Sequence, residues 1–277
     1  MSEKAGLIIE SFNAMGYDAM GIGDDDLTLG KGFLLDISKK ANFPFLSSNL
    51  YDEASGKLLF QSSIIREFRG LRIGVFSLLS PDLFTNLSDP RRKGLSIRSP
   101  IETAKAMVKE LKSKTDLIIL LSHLGYAKDI ELAQKVQGIH VIIGGHNGMN
   151  ISYPHDLNTI IVQAGSRGMS GGKLDLYFYN NDPVFYNSAK KMSLENTLNH
   201  INQRLASKEL PEVEKAQWRR AKEENERSLN QLQGKNQYTN HIITLQEQMR
   251  EDPEIKKMVD GYKARNQSTD NPVSPKS

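Results

Sequence analysis

The chain has 277 residues, 38% hydrophobic and 25% charged, an ordinary globular balance with room for one large domain or a domain plus an appendage. With 36 Lys and Arg against 33 Asp and Glu, the net charge is +3, without the clustered basic surplus of a dedicated nucleic-acid binder; no nucleic-acid partner is expected. The absence of cysteine excludes disulfides, thiolate metal sites and thiol nucleophiles, and no apolar run reaches the roughly 20 residues of a membrane span.

The first predicted element is a helix over residues 5–15, with Leu7, Ile8, Phe12 and Met15 on one stripe. No apolar signal-peptide core precedes it, which implies a cytoplasmic location if Met1 is the natural start. Strands are predicted over 71–77, 116–121, 140–143, 159–163 and 173–179. The third and fourth are continuously apolar, as in strands buried on both faces, and the last alternates, as in a strand with one wet face. Between them lie helices: one opens at Ser99-Pro100 with Ile101, Ala104, Met107, Val108 and Leu111 at helical spacing, and another runs from Asp129 to Val136 before Gly138. Alternating strands and helices predict an α/β layered domain over 1–189. From Lys190 the pattern turns helical and mixed in charge. Leu194, Leu198, Ile201 and Leu205 share a face, Pro211 starts a second helix with Trp218 turned inward against Leu198 or Leu205, and a third is predicted over 242–262. This gives a helical appendage over 190–265 and a polar, Pro-containing disordered tail over 266–277.

Ligands in α/β domains gather at strand ends. The run Asp24-Asp25-Asp26 concentrates negative charge that a cation or a helix N-terminus must offset, so Asp24 or Asp26 is a metal-ligand candidate and an N-cap is the structural alternative. His123 follows one apolar strand and His146, after Gly144-Gly145, follows another. Together with Asp24 they form a two-His, one-carboxylate set, which suits a divalent metal such as Zn or Mn and leaves positions for water or substrate. His140 reads as a packed residue, and His155, His200 and His241 as loop or helix positions. Ser122 lacks the Gly-x-Ser-x-Gly elbow of a serine hydrolase. The run Gly165-Ser166-Arg167-Gly168 is open to two readings, a phosphate cradle with Arg167 as counter-charge or a plain turn between strands.

Several motifs in order resemble the 5'-nucleotidase branch of the calcineurin-like metallophosphoesterases. They are the approach through Asn13 to Gly23, Phe43-Pro44-Phe45-Leu46-Ser47-Ser48-Asn49, Gly70 to Phe76, Ser122-His123-Leu124-Gly125, Gly144-Gly145-His146, and Val162-Gln163-Ala164-Gly165 through Gly172. The resemblance covers about residues 5–180. It implies a four-layer α/β/β/α sandwich with a metal centre in the strand-end loops, hydrolysis of phosphate esters or nucleotides, and the periplasmic or extracellular location of the family. It places Asp24 at the family's Asn ligand, His123 at its lone His and His146 at the first His of its last motif. Asp25 stands, in degenerate form, where the family has a catalytic His; Thr28 stands where an acid orients that His, and Gly148 where the last ligand falls. Met1 comes after the family's Asp-x-His and Gly-Asp motifs, so the resemblance implies a sandwich lacking its first strands. An apolar sheet edge is therefore expected beside the strand ending at Gly23, with Ile22 exposed and open to self-association or a protein partner. Two functions remain: phosphoester hydrolysis if the missing motifs are supplied, or a non-catalytic relative that binds partners through its helical tail.

Overall fold

A computed structural model describes residues 2–84, 86, 88–151, 158–207 and 209–267. The expected loop position of His155 and the tail 268–277 fall outside the described residues.

The chain opens with α1 (Ser2–Met15), β1 (Met20–Gly21), α2 (Gly30–Ser38), β2 (Phe45–Leu46), β3 (Leu50–Asp52), β4 (Ser63–Phe68) and β5 (Leu71–Leu79). It continues with β6 (Leu95–Ile97), α3 (Pro100–Leu111), β7 (Leu117–His123), α4 (Tyr126–Lys135), β8 (Val141–Gly144), β9 (Ile160–Val162) and β10 (Ser170–Tyr177). The last elements are β11 (Phe185–Asn187), α5 (Ser188–Leu205), α6 (Glu212–Leu232), β12 (Asn236–Thr244) and α7 (Pro253–Gln267).

A five-stranded sheet of order β4-β5-β7-β8-β9 forms the centre, parallel except for β4. Its strands β7, β8 and β9 are apolar on both faces because both are covered, whereas β4 is largely exposed. Phe76, Leu78, Ile118, Leu120, Ile142 and Ile161 face α3 and α4, meeting Ala104, Met107, Val108, Leu111 and Leu132. The alternate residues Leu117, Val141, Ile160 and Val162 meet Phe185 and Tyr238 of a second sheet, whose order is β10-β12-β11. Helix α5 packs on β11 and β12 and pairs with α6. Helices, sheet, sheet and helices thus stack in four layers. Burial of each such large side chain contributes about 1.5–3 kcal/mol, so period-2 apolar alternation fixes which residue faces which layer. A cavity of about 1170 Å³ lies between the sheets, lined by Ile73, Ile119, Val141, Leu174 and Leu176 among others.

Four expectations are corrected. First, α1 buries Ile9 with Ala5 and Phe12 packed alongside, while Ile8 and Met15 are exposed; the inward stripe follows i, i+4, i+7 from Ala5. Second, Ile22 is not exposed: it is fully buried among Ile9, Leu27, Leu34 and Phe45, and its N–H donates to the Leu46 carbonyl, while among the described residues β1 pairs with β2 alone. Third, the stretch predicted helical from 242 begins as strand: β12 runs antiparallel to β10 and parallel to β11. It carries His241, and it joins the second sheet across the boundary expected at 189/190. Its inward face sets Asn236 and Asn240 on either side of the core residue Tyr238, and both asparagines are hydrogen-bonded. Buried Asn236 accepts from the Tyr179 and Asn180 N–H groups and donates to the Asp182 carbonyl, so apolar periodicity gave no strand signal. Fourth, Trp218 is only half-buried, with its ring edge-on to His200 at 5.9 Å. Asn266 and Gln267, expected in the tail, instead close α7.

Candidate metal centre

Three strand ends bring the candidate residues together. β7 and β8 are parallel neighbours, so His123, the last residue of β7, and His146, two past the end of β8, emerge on the same side. Asp24 arrives on the turn after β1, which lies against β5 and β7; a Cβ on Gly21 would sit 3.0 Å from Leu121. His123 Nε2 is 3.0 Å from Asp24 Oδ1, His146 Nδ1 is 3.9 Å from the same oxygen, and the imidazole centroids are 5.2 Å apart. One donor atom from each of the three residues lies within 4.8 Å of the others.

Two glycines make this approach possible. A Cβ on Gly23 would fall 2.9 Å from His123 Cε1, and one on Gly145 would fall 2.9 Å from His123 Nδ1. The His123 ring is thus held between two backbones that carry no side chain. His146 follows with a positive φ of 25°, a left-handed turn that swings its ring back toward Asp24.

Behind the histidines lies a polar network. The buried Ser122 hydroxyl donates to Asp129 and accepts from the Leu124 N–H, which occupies it in structure. Asp129 is fully buried, and burial pushes its carboxyl up to about 7, opposed by the Ser122 hydrogen bond. Gln163 Nε2 donates to the Gly145 carbonyl and the Gly145 N–H donates to the Ser122 carbonyl, tying the two histidine loops together. His140 is packed, its Nδ1 accepting from the Ile118 N–H and its pKa lowered by burial.

Sequence reasoning missed Arg91. Its Nη1 donates to Asp24 Oδ2 at 2.6 Å, while Nε and Nη2 grip Asp89 at 3.1 and 2.8 Å, and the guanidinium lies over Phe84. These bonds, those to Asp89 first, raise the Arg91 pKa further above its ordinary value. The only sequence signal was the Asp89-Pro90-Arg91 turn, which says nothing of a partner 67 residues away.

The remaining candidates stand apart. The Asp25 side chain is 96% exposed at the rim, 3.6 Å from Arg91 Nη1. Asp26 accepts from the Gly23 N–H at 2.8 Å and shapes the loop rather than meeting the histidines; burial raises its pKa. Thr28 is exposed and bonds the Asp25 carbonyl. Gly148 faces Ser166, and Arg167 is an exposed turn residue at φ 59°.

One carboxylate oxygen and two imidazole nitrogens in this compass fit a single divalent cation. The other Asp24 oxygen is already taken by Arg91.

No protein-family model matches the chain. Over 153 residues it is 33% identical to a 5'-nucleotidase of Vibrio cholerae, an alignment covering 50% of this chain and 28% of that protein. The fold is shared with a 5'-nucleotidase precursor of Thermus thermophilus, with a TM-score of 0.68 at 23% identity over 96% of this chain and 46% of the other. The chain resembles the 5'-nucleotidase branch of the calcineurin-like metallophosphoesterases. The calcineurin-like phosphoesterase YfkN of Bacillus subtilis has the same fold, with a TM-score of 0.63 at 18% identity over 97% of this chain and 77% of that one. The chain spans under a third of the length of the curated 5'-nucleotidase named above. Among the described residues, no helix is long and apolar enough to cross a membrane.

Proposed function

We propose that this chain is a metal-dependent phosphoesterase of 5'-nucleotidase type, which takes a phosphate monoester such as a nucleotide at a divalent cation held by Asp24, His123 and His146. The observation that carries this reading is the convergence of those three donors within 4.8 Å at the strand ends. Similarity to 5'-nucleotidases over half the chain supports the substrate class.

A divalent ion there supplies positive charge to a phosphoryl oxygen and lowers the pKa of a water toward neutrality. Asp24 presents Oδ1 to the shared position and the two imidazoles present ring nitrogens. The Ser122–Asp129 and Gln163–Gly145 hydrogen bonds fix the loops from which the histidines project. The test is metal content together with turnover of 5'-AMP and p-nitrophenyl phosphate in Mn²⁺ or Zn²⁺. Roughly one bound ion, lost in Asp24→Asn and His123→Ala, is expected; a protein that binds no divalent ion would overturn the reading.

A non-catalytic relative, binding partners through the helices after residue 190, is the second reading. It is favoured by one observation: the position of the family's catalytic His holds Asp25, an exposed anion that repels a phosphate where a donor is needed. A protein that binds metal and nucleotide without turnover would establish this second reading.

A further inference from the structure

Arg91 does more than neutralise a stray carboxylate. Its loop holds it in place before it meets Asp24. Asp89 caps the turn over Pro90–Arg92 by accepting from the Arg91 N–H at 3.0 Å, and the same carboxylate receives Nε and Nη2 in a two-pronged grip. Phe84 lies under the guanidinium at 5.3 Å, and the Leu83 carbonyl accepts from Nη2. One nitrogen, Nη1, remains directed at Asp24, whose two oxygens are then divided between Arg91 and His123. The Asp24 carboxylate therefore has its charge and hydrogen bonds satisfied by the chain's own groups.

We propose that Arg91 is a resident counter-cation that competes with a divalent ion for Asp24 and so weakens the metal affinity of the site. The inference rests on the metal-site reading above. It follows from two pieces of electrostatics. A carboxylate already paired with a guanidinium has less negative charge to offer a second cation, and a fixed positive charge a few ångströms from a dication repels it. The guanidinium is shared between Asp89, through Nε and Nη2, and Asp24, through Nη1, so Asp89 draws off part of the charge that would otherwise act on Asp24. Arg91 also leaves Asp24 a single oxygen, Oδ1, for the position between the histidines.

Isothermal titration calorimetry with Mn²⁺ or Zn²⁺ alone tests this on the full chain. Arg91→Met keeps an unbranched apolar stem and removes the charge, and it is expected to bind the ion roughly tenfold or more tightly than the parent. Asp89→Asn keeps the cap but removes the charge that shares the guanidinium, and it is expected to bind more weakly than the parent. The two opposite signs guard against misfolding, which moves both variants the same way, and circular dichroism checks each fold. Affinity equal to or weaker than the parent's in Arg91→Met, with the fold intact, overturns the competition. Absence of binding in the parent and in Arg91→Met overturns the metal-site reading and this inference together. Equal binding in both overturns this inference alone.

Discussion

The Ser122 hydroxyl, one residue before His123, donates to a carboxyl of Asp129 that is wholly buried and whose second oxygen has no hydrogen-bond partner among the described residues. A carboxyl with its folded pKa raised to about 7 is favoured in its protonated form.

Stability should therefore fall as pH rises. Below the unfolded pKa of about 4, both states bind the proton and no penalty exists. Between that value and about 7 the native state holds a proton that the unfolded chain has lost, and the penalty grows, levelling off above 7 at on the order of 4 kcal/mol. Thermal melts of the parent should drop from pH 5 to pH 8, and those of Asp129→Asn should drop less. Parallel pH curves for the two proteins would show that Asp129 is ionised in the fold.

Gly23→Ala and Gly145→Ala each drive a methyl to within 2.9 Å of the His123 ring. Either should displace the imidazole and cost roughly tenfold in divalent-ion affinity by calorimetry, in keeping with the effect of disturbing groups that orient a metal ligand. Gly32→Ala, in α2 with nothing within 4 Å of the added Cβ, should instead stabilise the chain by about 0.4–1 kcal/mol.

Asp25→His replaces a rim anion with a potential donor. If the phosphate sits beside Asp24, turnover of p-nitrophenyl phosphate should rise by about two orders of magnitude, the usual worth of one transition-state donor. An unchanged rate in a protein that still binds its ion would place the phosphate elsewhere.

Tyr238 sits at the heart of β12, 4% exposed, packed with Phe185 against Leu117 and Val141. Tyr238→Ala should cost about 3–5 kcal/mol in denaturant unfolding, as for other large aromatic truncations. Val213→Ser, at a position 75% exposed on α6, should change stability by less than about 0.5 kcal/mol. Similar costs at the two sites would mean that β12 is not part of the folded body.

The central sheet was legible because β7, β8 and β9 are apolar on both faces, a pattern that reads the same in sequence and in space. His123 and His146 were legible for a related reason: each closes a strand whose end the hydrophobic run marks. β12 was not, since Asn236 and Asn240 are satisfied by hydrogen bonds to the backbones of residues 179–182 and Ile151 rather than by apolar contact. Trp218 was placed inward by helical periodicity, yet α6 turns it to the flank of α5, where His200 and Arg204 meet the ring. Arg91 was invisible because nothing local distinguishes an arginine that folds back on its own cap from one left in water.

Asp24 and His123 are 99 residues apart in sequence, and β1 must be laid against β5 and β7 before they touch. Closing so long a loop costs entropy before any contact repays it, and parallel strands joined by crossovers form late for the same reason. Metal uptake should thus lag behind the recovery of helical signal during refolding. An ion supplied at the start would find no pocket to template, and its capture would time the last stage of assembly.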